Sequence, residues 1–112
     1  MKPMEVEILV AEVGLEPAGD QMFHILYDGT VNDHKNLAVL GGDAEAISGR
    51  LDESYHDDLD LAEAVRIGVA SLAGPDRELP TSELEVARLA RGNGRRCFER
   101  LADDALTEIL AG

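Results

Sequence analysis

Along the first stretch of the chain polar and apolar positions alternate with period two. Glu5 and Glu7 stand against Val6, Ile8 and Val10, and then Leu9, Ala11 and Val13 make the second face apolar too. Successive strand side chains point to opposite faces, so Glu5 to Val13 is predicted as a strand buried on both faces for part of its length. Gly14 to Asp20, with two glycines and a proline, reads as a loop. Met22 to Tyr27 reads as a second strand that meets Asp28-Gly29 before Thr30 and Val31. Asp-Gly between β-prone runs predicts a two-residue type I′ hairpin turn, whose central positions both take positive φ. Asn32 to Asn36 is expected to be a polar connection. Leu37-Ala38-Val39-Leu40 is wholly apolar and ends at Gly41-Gly42, as expected of a short strand inside a covered sheet.

The period then lengthens. Asp43 opens a predicted helix with Ala44, Ile47, Leu51 and Tyr55 on one stripe, ending near His56. Asp60-Leu61-Ala62-Glu63 resembles a capping box, and the helix after it carries Leu61, Ala64, Val65, Gly68, Val69 and Leu72 on one side before Gly74-Pro75. Gly68 on that face suits close packing against a neighbouring element. Asp76 to Ser82 is polar. Leu84 to Leu89 and Arg96 to Leu101 alternate about Arg91-Gly92-Asn93-Gly94, a second hairpin. Asp103 is expected to cap a last helix bearing Ala105, Leu106, Ile109 and Leu110. Runs of strands followed by runs of helices, rather than strict alternation, predict an α+β fold. Strands apolar on both faces need two covers, which three helices and about six short strands do not complete. The core reads as unfinished.

Composition narrows the function. With 112 residues the chain holds one domain at most, and 45% hydrophobic with 29% charged residues is the composition of a folded chain. Aromatics at 4% and no Trp leave little surface for stacking bases. The net charge of −13 would repel a phosphate backbone or an anionic membrane, so neither nucleic acid nor membrane is an expected partner. The charge is uneven: Arg88, Arg91, Arg95, Arg96 and Arg100 all fall on the second hairpin, suggesting a chain that meets other protein surfaces. Cys97 is the only cysteine, which excludes an internal disulfide and any CxxC site and fits a reducing compartment. With no apolar stretch long enough for a membrane span and no signal-peptide pattern at the acidic start, the expected location is the cytoplasm.

Candidate chemistry is thin. Gly41-Gly42 before a helix could cradle a phosphate, but Asp43 and Glu45 in the first turn would repel it. Asp57, Asp58 and Asp60 lack the alternating spacing of a calcium loop and read as caps and solvated carboxylates. His24, His34 and His56 fall in a strand, a loop and a helix end without ligand spacing. Ser48, Ser54, Ser71 and Ser82 stand in no GxSxG elbow, and Cys97 reads as a small buried hydrophobe. No catalytic, cofactor-binding or metal residue is assigned, and no cofactor is expected.

Six segments together carry a resemblance: Val6 to Val13, Leu26-Tyr27-Asp28-Gly29-Thr30-Val31, Val39-Leu40-Gly41-Gly42, Leu51-Asp52-Glu53-Ser54-Tyr55, Leu61 to Ile67, and Ser82 to Ala87. In this order the chain resembles the alpha-type subunits of the proteasome core particle, especially the actinobacterial type, over nearly its whole length. The resemblance reaches only the C-terminal half of such a subunit. It implies half of the αββα four-layer sandwich of N-terminal-nucleophile hydrolases, with residues 1–112 a single partial domain. It implies a non-catalytic subunit of a threonine-type endopeptidase complex in the cytoplasm. Its partners would be other alpha-type subunits in a homo-oligomeric ring, catalytic beta-type subunits, and an ATPase activator at the outer face.

Two other readings meet particular residues. Gly29-Thr30 looks like the junction that catalytic beta subunits cleave to expose a threonine nucleophile. Thr30 follows a predicted tight turn, no lysine occurs after Lys35, and Gly42-Asp43-Ala44 replaces the Gly-Ser-Gly typical of beta subunits. The second is a free-standing acidic α+β interaction module without proteolytic role, using exposed sheet edges and the Arg88 to Arg100 hairpin to meet an acidic partner.

Overall fold

The computed structural model describes residues 6–91 and 97–111. Its elements are strands β1 (Ile8–Glu12), β2 (Gln21–Ile25) and β3 (Val31–His34), helices α1 (Ala44–Ser54) and α2 (Leu61–Ala73), strands β4 (Ala87–Leu89) and β5 (Phe98–Arg100), and helix α3 (Asp103–Ala111). Short 3-10 turns lie at Pro17–Gly19 and Thr81–Glu83. The fold is α+β, as the sequence pattern predicts.

β1, β2 and β3 form an antiparallel sheet in that order. Ile8, Ile25 and Val31 stand in one row, and Val10, Phe23 and Asp33 in the next on the same face. Leu9, His24 and Asn32, with Ala11, Met22 and His34, make the other. The β2–β3 turn differs from expectation. Gly29 N–H donates to the Leu26 carbonyl at 2.9 Å and Leu26 N–H to the Thr30 carbonyl at 2.9 Å, and only Gly29 has positive φ, at 89°. The connection is a three-residue loop with a left-handed glycine, which spares Asp28 the steric cost of αL. Strand β3 accordingly runs through His34, where a connection starting at Asn32 was expected.

Leu37 to Leu40 is not a strand. No described strand lies alongside it, and an apolar run supplies burial but not a hydrogen-bonding neighbour. The expected double burial of β1 is also absent: all five of its residues are exposed, Ile8 at 49% and Val10 at 43%. The alternation is there, but these residues do not build the covers that it anticipates.

The buried centre lies elsewhere, among Val65 of α2, Leu84, Leu101 and Leu106 of α3, with Leu61 and Val69 packed against it. Leu106 is only 1% exposed. The stripe Leu61, Val65, Val69 faces this core, whereas Ala64 and Leu72 of the expected face are exposed. A Cβ built on Gly68 meets no atom within 4 Å beyond the helix's own backbone, so the expected close packing does not occur. Asp43 precedes α1 without a side-chain cap bond. Helix α3 begins at Asp103, with Leu106 N–H bonded to the Ala102 carbonyl, so Asp103 lies inside the first turn rather than capping it. Cys97 is half-buried, short of the burial expected of it. The second hairpin pairs Ala87 with Arg100, Arg88 with Glu99 and Leu89 with Phe98; Gly92 to Arg96, with most of its turn, lie outside the described residues.

The surface area measures how open this arrangement is. The chain exposes 8628 Å², where a folded monomer of its mass exposes about 6000 Å². Its radius of gyration is 15.2 Å, against about 13 Å for a compact domain of this length.

Candidate functional site

Each candidate group has a definite place. Thr30 donates its backbone N–H to Asp28 Oδ1 at 2.9 Å within the β2–β3 turn, and that bond together with the Thr30 side chain lowers the Asp28 pKa. Its nitrogen is thus a turn amide, while a threonine nucleophile needs a free terminal amine. Around Gly42, Asp43, Glu45 and Ala46 a shallow depression opens at the start of α1, its only charged groups carboxylates, which suits a solvated helix start better than a phosphate. Asp57 and Asp58 are exposed, and Asp60 Oδ1 accepts the Glu63 N–H at 2.8 Å as the cap of α2.

The structure brings His24 and His34 together, with ring centroids 5.9 Å apart on one face of the first sheet. His24 Nε2 lies 2.9 Å from Glu7 Oε2, and His34 Nε2 is buried without a partner. His56 is remote from both in sequence and exposed. Among the described residues no group of three or more His, Cys, Asp or Glu is placed to hold a metal ion. The histidine pair was missed because His34 was read as a loop residue. A two-residue Asp-Gly turn would have paired His34 with Phe23 on the opposite face, and only the three-residue loop, which pairs it with Met22, brings it to the face of His24.

Each described arginine of the second hairpin holds a carboxylate of the same chain, although Arg88 Nε is buried without a partner. Arg88 pairs with Glu99 at 3.3 Å, Arg100 with Glu85 at 3.3 Å, and Arg91 with Asp20 at 2.7 Å. Arg95 and Arg96 lie outside the described residues. A surface whose described cations already hold carboxylates of the same chain is poorly suited to an acidic partner. The Arg91 contact is the most elaborate: its guanidinium donates from Nη1 and Nη2 to the two carboxylate oxygens of Asp20 and from Nη1 to the Gly14 carbonyl at 2.8 Å. Arg91, and after it the Gly14 N–H, pull the Asp20 pKa down to about 2; Asp20 raises that of Arg91 in return. Nothing in the local sequence signals this clip, since 71 residues separate its partners.

What remains as a functional feature is surface. Ile8, Val10, Phe23, Ile25 and Val31 share one sheet face, three of them more than 40% exposed, and the outer edge of β1 is unpaired among the described strands. Apolar faces of this kind mark places where proteins meet other polypeptide. No helix among the described residues is long and apolar enough to cross a membrane.

Comparison with known proteins identifies the group that uses such a chain. The family described as "Proteasome subunit" matches residues 1–86. Among curated relatives, the proteasome subunit alpha of Streptosporangium roseum is 47% identical over 112 residues, covering 99% of this chain and 43% of that protein. That of Kineococcus radiotolerans is 44% identical, covering 99% and 51%, and that of Acidothermus cellulolyticus 45% identical, covering 97% and 49%. The chain therefore spans about half the length of the curated relatives it matches. Six segments at compatible spacing, an α+β fold with an uncovered sheet, and this similarity across nearly all of its residues agree that the chain belongs to the proteasome subunit family, among relatives of the alpha type.

Proposed function

We propose that this sequence is the C-terminal half of a non-catalytic alpha-type subunit, one partial domain of the αββα sandwich of N-terminal-nucleophile hydrolases. In this reading the subunit forms the outer rings of a cytoplasmic threonine-type proteasome, seats the catalytic beta-type subunits, and restricts substrate entry together with an ATPase activator at the outer face. The observation that carries it is similarity to proteins named proteasome subunit alpha across 97–99% of the chain. The uncovered sheet supports it, because a strand apolar on both faces belongs between two layers. So does the place of Thr30, whose amide serves a turn. The mechanism assigned to these residues is scaffolding: burial and shape, with no bond made or broken.

Native mass spectrometry of the complex that holds this sequence, followed by the masses of its dissociated chains, tests the proposal. A stacked-ring particle containing the chain beside a second, beta-type subunit is the expected result. The chain found alone, or with one unrelated partner, would overturn it.

A further inference from the structure

Strand β1 is an edge of the first sheet, and the register fixes which of its backbone groups look outward. Leu26 N–H donates to the Thr30 carbonyl at 2.9 Å, so the backbone polar groups of Leu26 turn toward β3. Such groups alternate sides along an antiparallel strand. Those of Ile25, Phe23 and Gln21 therefore turn toward β1, where they meet Ile8, Val10 and Glu12. The N–H and C=O groups of Leu9 and Ala11 point away from the sheet, and no described strand pairs with them. Every residue from Ile8 to Glu12 is exposed. Neither proline, lysine nor a bulge interrupts the strand, so the usual devices that blunt an open edge are missing from it.

An open antiparallel edge is complementary to itself, because a two-fold axis sets the same donors and acceptors opposite one another in reverse order. With the axis at Val10, all five residues of β1 find a mate; sliding by two residues leaves two of the five without one. Leu9 then exchanges two hydrogen bonds with Ala11 of the second copy, and Ala11 two more with its Leu9. Val10 stands opposite its own mate as the close pair between those bonds. Ile8 faces Glu12, so the strand's one charged residue does not oppose itself. The axis also keeps the apolar row of both copies on one side, so Val10 carries the face of Ile8, Phe23 and Ile25 across the joint.

We propose that two copies of this chain join their β1 strands edge to edge, antiparallel about Val10, into one six-stranded sheet. The inference goes beyond the subunit reading and does not rest on it. It is tested on the 112-residue chain by sedimentation velocity at micromolar concentration, with circular dichroism to follow the fold. The net charge of −13 on each copy repels its mate, so the buffer holds salt at about 0.15 M to screen it. Ala11→Pro removes an outward N–H without touching the bonds to β2, a place where an edge strand accepts proline. Each dimer loses two hydrogen bonds, so its dissociation constant should rise about tenfold or more, with Ala11→Val close to the unaltered chain. The register has its own test, in a Cys97→Ala background. The two Val10 Cα atoms stand about 4.5 Å apart in this pairing, within disulfide reach, whereas the two Ala11 are offset by two residues and are not. Val10→Cys should oxidise to a linked pair of twice the 12.1 kDa chain mass, and Ala11→Cys should stay single. A monomeric unaltered chain, an Ala11→Pro dimer as tight as the unaltered one, or linkage through Ala11→Cys instead of Val10→Cys would overturn the pairing; each leaves the subunit reading intact. Should Ala11→Pro fail to fold, the two cysteine variants decide.

Discussion

Asp20 carries more of the tertiary arrangement than its exposed position suggests, because one carboxylate closes its own loop and holds Arg91 across 71 residues. Its pKa lies near 2, below the ordinary 3.8, mainly through the Arg91 hydrogen bonds. A carboxylate with a depressed folded pKa contributes stability that is present above the unfolded value and lost as pH falls through the folded one. Acid titration of the melting midpoint should therefore show a decline between pH 4 and 2 that Asp20→Asn removes. An unchanged profile would mean that the clip does not outlast exchange with solvent. Gly68 makes the opposite point about a side chain that is missing. The residue sits inside α2 with open space where its Cβ would be. Gly68→Ala should raise stability by about 0.5 to 1 kcal/mol through the lower backbone entropy of the unfolded chain and better helix propensity. A lower urea midpoint would show instead that another element packs on that face.

At the scale of elements, α2 shows how a helix satisfies its ends from near and far. Its N-terminus is closed locally by Asp60, and Asp60→Ala should cost about 0.5 to 2 kcal/mol in a denaturation experiment. Its C-terminus has no basic residue in the last turn. The Ala70 carbonyl accepts from Gly74, the Ser71 carbonyl from Arg50 at 2.8 Å, and the Ala73 and Leu72 carbonyls from Arg77 at 3.4 and 3.5 Å. These are the four carbonyls that a helix leaves without internal partners, and the cations also oppose the negative end of the dipole. Arg50→Met keeps the aliphatic stem but strands the carbonyl of buried Ser71, and should cost about 1 to 2 kcal/mol, read by urea denaturation. The local half of this was legible in the sequence: Asp60 with Glu63, Gly74 with Pro75, the period-two run of β1, and the existence though not the length of the turn at Asp28-Gly29 all act within a few residues. The rest was not. Arg50 reaches Ser71 across 21 residues and Arg91 reaches Asp20 across 71, and no local pattern encodes such contacts. Leu37 to Leu40 failed as a strand for the same reason, since apolarity is a property of the run while a ladder belongs to a pair.

At the scale of the whole molecule, apolar surface is distributed unevenly. The core of Val65, Leu84, Leu101 and Leu106 draws on α2, α3 and the segments around the second hairpin, whereas the first sheet has Ile8, Val10 and Val31 in solvent on one face. The surplus over a compact monomer is about 2600 Å², comparable with what large subunit interfaces bury. The 112 residues by themselves should therefore associate at micromolar concentration, seen as species heavier than 12.1 kDa in sedimentation velocity. Changing Ile8, Val10 and Val31 together to Thr separates this from poor folding. These side chains bury little within the chain, so each exchange should alter stability by no more than about 0.5 kcal/mol, while the removal of a continuous apolar strip should shift sedimentation toward monomer. Monomeric behaviour of the unaltered chain with a sharp melt would contradict the argument from surface. Loss of the melt in the triple variant would place those three side chains in a core after all.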